Sequence, residues 1–137
     1  MNPFTFNTSK SIRFGEGAVN KLGEIIKDGI GDRVMLVTDP GMISTGLVER
    51  ALSALSQADV AVELFSEVEA DPPEHVILAA AAKAREAAVD GVVGFGGGSS
   101  LDVAKLVALL APGKEALAEV YGVGNAKGPR LPLILVP

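Results

Sequence analysis

Along this chain, short unbroken apolar runs alternate with longer stretches whose apolar residues recur at helical spacing. Val34-Met35-Leu36-Val37 is one such run, and turn residues bound it on both sides. That pattern predicts a strand buried on both faces. Runs at 60–65, 92–95 and 133–136 predict three more strands. Between them, Leu22, Ile25 and Ile26 place a helix over about 18–27. Leu47, Val48, Ala51, Leu52 and Leu55 place a second over about 44–57, with Asp39-Pro40-Gly41 read as the stop after the preceding strand. The Ala-rich stretch 74–88 begins after Asp71-Pro72-Pro73 and predicts a third helix, since proline suits a first helical turn. Val103, Leu106, Val107 and Leu110 stripe a fourth over 99–110. Residues 114–121 predict a short helix and 122–129 a loop. At the start, Phe4, Phe6, Ile12 and Phe14 alternate with polar residues around Thr8, Ser9 and Lys10, which predicts an N-terminal hairpin or edge strands.

Strand and helix thus follow one another without interruption. Parallel strands need such crossovers, so the expected fold is α/β: an open, doubly wound, mostly parallel sheet. In such sheets ligands bind beyond the carboxyl ends of the strands. The last strand has no helix after it, which predicts a sheet face short of cover, as in a truncated domain that associates through exposed apolar surface.

Composition narrows this further. Apolar residues make up 48% of the 137 and only 4% are aromatic, a mix that favours helices on a buried sheet over a small β-sandwich. The net charge is −5 and no Lys/Arg cluster lines one face, so nucleic acid is not an expected partner. Without cysteine there is no disulfide framework and no thiolate metal site. No signal-type apolar region opens the chain and no apolar run reaches the length of a membrane span; a cytoplasmic protein without membrane contact is expected.

The candidate chemistry lies where the 92–95 strand meets the next helix, at Gly94-Phe95-Gly96-Gly97-Gly98-Ser99-Ser100-Leu101-Asp102. Glycines without Cβ atoms let the backbone take positive φ and approach a ligand closely. The first N–H groups of a helix lack internal partners and sit at the positive end of its dipole, which suits a phosphate. Ser99 or Ser100 adds a hydroxyl donor. G-x-x-x-x-G-K-[ST] is absent, and Ser99 stands where G-x-G-x-x-G needs its third glycine. A tight turn without ligand is the other reading. Ser99 and Asp102 also fit an N-terminal capping pattern, and Asp102 with Lys105 a plain surface ion pair.

Gly96 to Lys105 resembles the G-G-G-S-x-x-D-x-A-K signature of the iron-containing (group III) alcohol dehydrogenases. Phe14-Gly15-x-Gly17, Val37-Thr38-Asp39, Asp71-Pro72 and Leu131-Pro132-Leu133 to Val136-Pro137 resemble further family features in the family's order. The resemblance implies a Rossmann-like domain over 1–137 that binds a nicotinamide dinucleotide, NAD rather than NADP. It implies that Gly97, Gly98 and Ser99 cradle the pyrophosphate, with Ser100 beside them as a further cofactor-binding candidate. Asp39 would lie at the adenosine ribose, where a carboxylate accepts from the 2′-OH and repels a 2′-phosphate. Its other reading is a turn opener at Asp-Pro-Gly. Asp102 would lie towards the nicotinamide and Asp71 is a further cofactor contact. The implied reaction is reversible hydride transfer with a primary alcohol or aldehyde in a homo-oligomeric enzyme.

The family's metal ligands, one Asp and three His for Fe2+ or Zn2+, belong to a C-terminal helical domain outside this chain. The one histidine here, His75, matches none of them. The chain by itself is therefore expected to be inactive. Still open are a glycerol dehydrogenase or dehydroquinate synthase-like relative, a stand-alone nucleotide-binding or regulatory module, and a flavodoxin-like interaction domain.

Overall fold

All four apolar runs become strands: β1 (Arg33–Val37), β2 (Ala61–Phe65), β3 (Gly91–Phe95) and β4 (Leu133–Val136). The computed structural model describes Pro3 and residues 9–113, 116–120 and 128–137. The strands form one parallel sheet in the order β2-β1-β3-β4. Every residue of β3 is buried, whereas β2 and β4 at the edges are half-exposed. The apolar run at 61–65 therefore marks an edge strand rather than one buried on both faces.

Helices cover both faces. Alternate residues of a strand point to opposite sides, and the core divides accordingly. Val34 and Leu36 of β1 with Val93 and Phe95 of β3 pack against α1 (Leu22–Gly29) and α3 (Leu47–Gln57) through Leu22, Ile26, Val48, Ala51 and Leu55. Met35, Val37 and Val92 face α4 (Glu74–Glu86) and α5 (Gly98–Leu110) through Val76, Ile77, Val103 and Val107. Ala80, Ala81 and Ala84 of α4 and Ala104 and Ala108 of α5 belong to the same cluster. These short side chains let two helices share one face of the sheet closely. Each fully buried Val, Leu, Ile or Met contributes about 1.5–3 kcal/mol relative to exposure, so the β1–β3 pair with its two covers is the stable centre of the fold.

Four expectations are modified. The helix over 44–57 is α3, which starts only at Leu47 after Gly46 with φ 76°, and a short helix not expected from the sequence, α2 (Pro40–Ser44), precedes it. Asp39, read as part of a stop, instead starts α2: its side chain accepts the Met42 N–H at 2.9 Å, and Pro40 takes the first helical position. The helix over 18–27 is a 3-10 turn (Ala18–Lys21) running into α1. Of residues 114–121, only 117–120 form helix, a 3-10 turn, while 114, 115 and 121 lie outside the described residues.

Ile12 and Phe14 enter no strand and are 79% and 101% exposed. Phe4, Phe6 and Thr8, the rest of the expected hairpin, lie outside the described residues, as does most of the 122–129 loop.

Candidate functional site

The strand order sets the position of the site. From β1 the chain crosses to β2 on one side; from β3 it crosses to β4 on the other. The segments leaving the carboxyl ends of β1 and β3 therefore diverge, and a crevice opens between them. Thr38 and Asp39 follow β1, and Gly96, Gly97 and Gly98 follow β3. The fully buried Thr38 clips the two strand ends together, its hydroxyl donating to the Phe95 carbonyl at 2.8 Å.

The three glycines do different work. Gly96 has φ 133°, a conformation that side chains rarely adopt. A Cβ there would also lie 2.9 Å from Met42 Cγ and 3.1 Å from Asp39 Oδ2. The fold itself requires that glycine. Gly97, at φ −79° and ψ −178°, has an extended backbone that any residue adopts, and a Cβ on Gly97 or Gly98 would meet nothing within 4 Å. Among the described residues no steric contact calls for glycine at either position. The space they leave is the floor of an open cleft of about 300 Å³ lined by Asp39, Pro40, Val68, Glu69, Ala70, Gly97, Gly98, Ser99 and Ser100.

The two ends of α5 differ. At its carboxyl end the Arg85 guanidinium donates to the Leu110 and Ala111 carbonyls at 2.9 and 3.1 Å. At its amino end Gly97 is the N-cap and makes no side-chain cap bond. The N–H groups of Gly98, Ser99 and Ser100 have no acceptor among the described residues; the first N–H that does is Leu101, bonded to the Gly97 carbonyl at 3.1 Å. Three donors and the positive end of a helix dipole thus face the cleft. The capping pattern expected of Ser99 and Asp102 is not formed. Both lie inside the helix, since the extended Gly97 takes the cap position, and Asp102 instead pairs with Lys105 at 3.1 Å on the exposed surface.

Asp39 stands across the cleft, half-buried. Its Oδ1 accepts the Met42 N–H and its Oδ2 accepts the Ser100 hydroxyl at 3.0 Å. The structure thus brings together Asp39, Gly97, Gly98, Ser99 and Ser100, and leaves Asp71 and Asp102 off the lining. Asp71 follows the lining residue Ala70, exposed, at φ 47°, a left-handed turn conformation that Asp tolerates better than most residues. The sequence reading missed Pro40, Val68, Glu69 and Ala70. Their segments carry no periodic or motif signal, and only the folded sheet sets them opposite the glycine turn.

Among the described residues no group of three or more His, Cys, Asp or Glu could hold a metal ion, and His75 is exposed at the start of α4. The residues present do not fit a metal centre. No helix described is long and apolar enough to cross a membrane.

The sequence profile described as iron-containing alcohol dehydrogenase matches residues 9–137. A sulfoacetaldehyde reductase of Bilophila wadsworthia is 30% identical over 98% of this chain, which spans 35% of that protein. A 4-hydroxybutyrate dehydrogenase of Cupriavidus necator is 42% identical over 88% of this chain and 32% of its own length. The chain thus spans about a third of the length of these curated relatives. Among solved structures, an NADH-dependent butanol dehydrogenase A of Thermotoga maritima superposes with a TM-score of 0.84 at 29% identity, over 98% of this chain and 34% of its own. A sulfoacetaldehyde reductase from Bifidobacterium kashiwanohense, solved in complex with NAD+, does so at 0.78 and 28%, over 98% of this chain and 36% of its own. The glycine turn, the parallel sheet and this match along nearly the whole sequence lead to one assignment: the chain belongs to the iron-containing alcohol dehydrogenase family.

Proposed function

We propose that residues 1–137 form the dinucleotide-binding part of a nicotinamide-dependent alcohol dehydrogenase. The observation that carries this is the open amino end of α5, whose three N–H groups, without an acceptor among the described residues, face a cleft that Gly97 and Gly98 keep clear. Such an end suits a pyrophosphate. Gly97 and Gly98 let the phosphates come against the backbone, and the N–H groups of Gly98, Ser99 and Ser100 donate to them. Among the described residues no Lys or Arg lines the cleft; N–H donors and the dipole of α5 carry the electrostatics. Across the cleft, Asp39 accepts from the ribose 2′-OH and disfavours a 2′-phosphate, so the cofactor is NAD rather than NADP. Asp71 beside the cleft wall and Asp102 one turn into α5 are the outer contacts of the set, Asp102 towards the nicotinamide. The bound nicotinamide would exchange a hydride with the carbon of a primary alcohol or aldehyde; this chain holds and orients it.

Names of the relatives support the same reading: two act as NADH-dependent or NAD+-binding enzymes on an alcohol or an aldehyde. Because the described residues lack a metal donor set, we propose that a metal, Fe2+ or Zn2+, is held by residues outside this chain. Alcohol oxidation by the purified chain with NAD should therefore be absent. Sustained NADH production from ethanol or propanediol would refute that part of the proposal.

Calorimetry with NADH, NADPH, AMP and a non-nucleotide control tests the binding reading. NADH should bind at least about tenfold more tightly than NADPH, a difference of about 1.4 kcal/mol. Asp39→Ala should narrow that gap. Binding of neither dinucleotide would end the proposal, and equal affinities in the unaltered chain would remove Asp39 from it.

A further inference from the structure

Among the described residues that line the cleft, Ser100 is the one buried polar side chain, only 1% exposed, and its hydroxyl is aimed at Asp39. The bond joins residues 61 positions apart, on segments that leave β1 and β3. A serine in the first turn of a helix ordinarily bonds its own backbone. This one donates to a carboxylate across the cleft. The Asp39 carboxylate consequently has a donor on each oxygen: the Met42 N–H from the first turn of α2 on Oδ1, and the Ser100 hydroxyl from the first turn of α5 on Oδ2. Gly96 closes the third side, because even a methyl group there would sit 3.1 Å from Oδ2 and 3.6 Å from the Ser100 oxygen. A carboxylate with one donor per oxygen still has acceptor capacity for a ligand hydroxyl, but it no longer rotates freely.

We infer that Ser100 is a positioning residue for cofactor discrimination: it fixes the Asp39 carboxylate so that its charge and its free lone pairs meet a ribose 2′-OH and exclude a 2′-phosphate. The inference rests on the assignment of Asp39 to the ribose proposed above. It goes beyond that assignment in giving the selectivity to a pair of side chains, one on each wall of the cleft. The Ser100 N–H and the Ser100 hydroxyl then have separate tasks, the first towards phosphate and the second towards Asp39. Replacing the side chain leaves the N–H in place.

Ser100→Ala removes the hydroxyl and keeps the helix. The variant, Asp39→Ala and the double variant are measured by calorimetry with NADH and NADPH, with melting curves to establish folding. Ser100→Ala should lower the ratio of NADH to NADPH affinity about fivefold, the size of coupling expected between side chains in direct contact. It should do so mainly by weakening NADH, because the N–H donors to phosphate persist. In the Asp39→Ala background the same change should leave the ratio unaltered. A plain packing role would weaken both dinucleotides alike and would persist without Asp39; that result overturns the inference while leaving the ribose role of Asp39 intact. Should Asp39→Ala itself leave the ratio unchanged, the ribose assignment fails and this inference fails with it. If Ser100→Ala does not fold, Ser100→Cys, which keeps the size and loses most of the donor strength, takes its place with the same expected and contrary results.

Discussion

Gly97→Val should abolish dinucleotide binding in a chain that still folds. The backbone at Gly97 lies where valine is allowed, and its Cβ would meet no protein atom within 4 Å. Valine is a poorer N-cap than glycine, at a cost of about 1 kcal/mol. It also reduces the freedom of the unfolded chain, which returns about 0.4–1 kcal/mol. Stability should therefore change by less than about 1 kcal/mol, a shift of a few degrees in melting midpoint for a domain of this size. The ligand meets a different situation. The added methyl groups stand in the space through which phosphate oxygens would reach the N–H groups of α5. Each charge-assisted bond lost there contributes about 1.5–3 kcal/mol, so NADH affinity should drop by at least about a hundredfold, or 2.7 kcal/mol. Titration calorimetry beside a melting curve separates the two effects. Unchanged NADH affinity in folded Gly97→Val would mean that the cleft at α5 is not where the dinucleotide sits.

That contrast shows what the sequence makes legible and what it does not. The parallel sheet could be read from Val34 to Val37 and from Val92 to Phe95, because a strand covered on both faces has to be apolar at every position. The glycine turn could be read because three successive glycines between a buried strand and a helix suit either a close backbone approach or a tight turn. Which glycine serves the fold and which serves a ligand could not be read. The difference lies in what stands near each missing Cβ, Met42 and Asp39 at Gly96 and nothing at Gly97, and those neighbours come from a segment more than fifty residues earlier. The Ser100 bond to Asp39 and the wall formed by Val68, Glu69 and Ala70 were hidden for the same reason. The capping reading of Ser99 and Asp102 was local and failed locally. Serine and aspartate three apart suit a cap only if the first of them has extended backbone, and here Gly97 takes that place. The short α2 was not legible because Asp-Pro-Gly is as good a turn as it is a helix start; the Met42 N–H that Asp39 accepts decides between them.

The glycine two residues before the turn should behave in the opposite way to Gly97. Gly94 lies in the middle of β3, paired in register with Val37 of β1 and Leu135 of β4. A Cβ there would fall 2.8 Å from Ala104 Cβ, 3.0 Å from Leu135 Cδ2 and 3.3 Å from Leu101 Cδ2. The absence of a side chain at 94 is thus what lets α5 lie directly on β3, with Ala104 as its contact. Strand propensity would favour valine at this position, so glycine is retained against the local preference of a strand and for the sake of helix approach. Gly94→Val puts three heavy atoms into a contact already filled by a methyl group, and α5 must move away from the sheet or β3 must bend. Overpacking of this kind costs about 1–3 kcal/mol when the surroundings yield. Here the nearest neighbour is the methyl of a fully buried alanine, which cannot turn aside, while the ends of Leu101 and Leu135 can shift, so a cost at the upper end of that range, about 3 kcal/mol, is expected. That is a large part of the 5–15 kcal/mol typical of a domain, and it should appear as a clear fall in the urea midpoint. Gly94→Ala, with a single added carbon, should lose less and stay folded. Because α5 carries the cleft-facing N–H groups proposed to bind phosphate, any displacement it suffers should also weaken NADH. A Gly94→Val chain as stable as the original would show that α5 does not rest on β3 as described, and the position of the cleft relative to the strand ends would have to be drawn again.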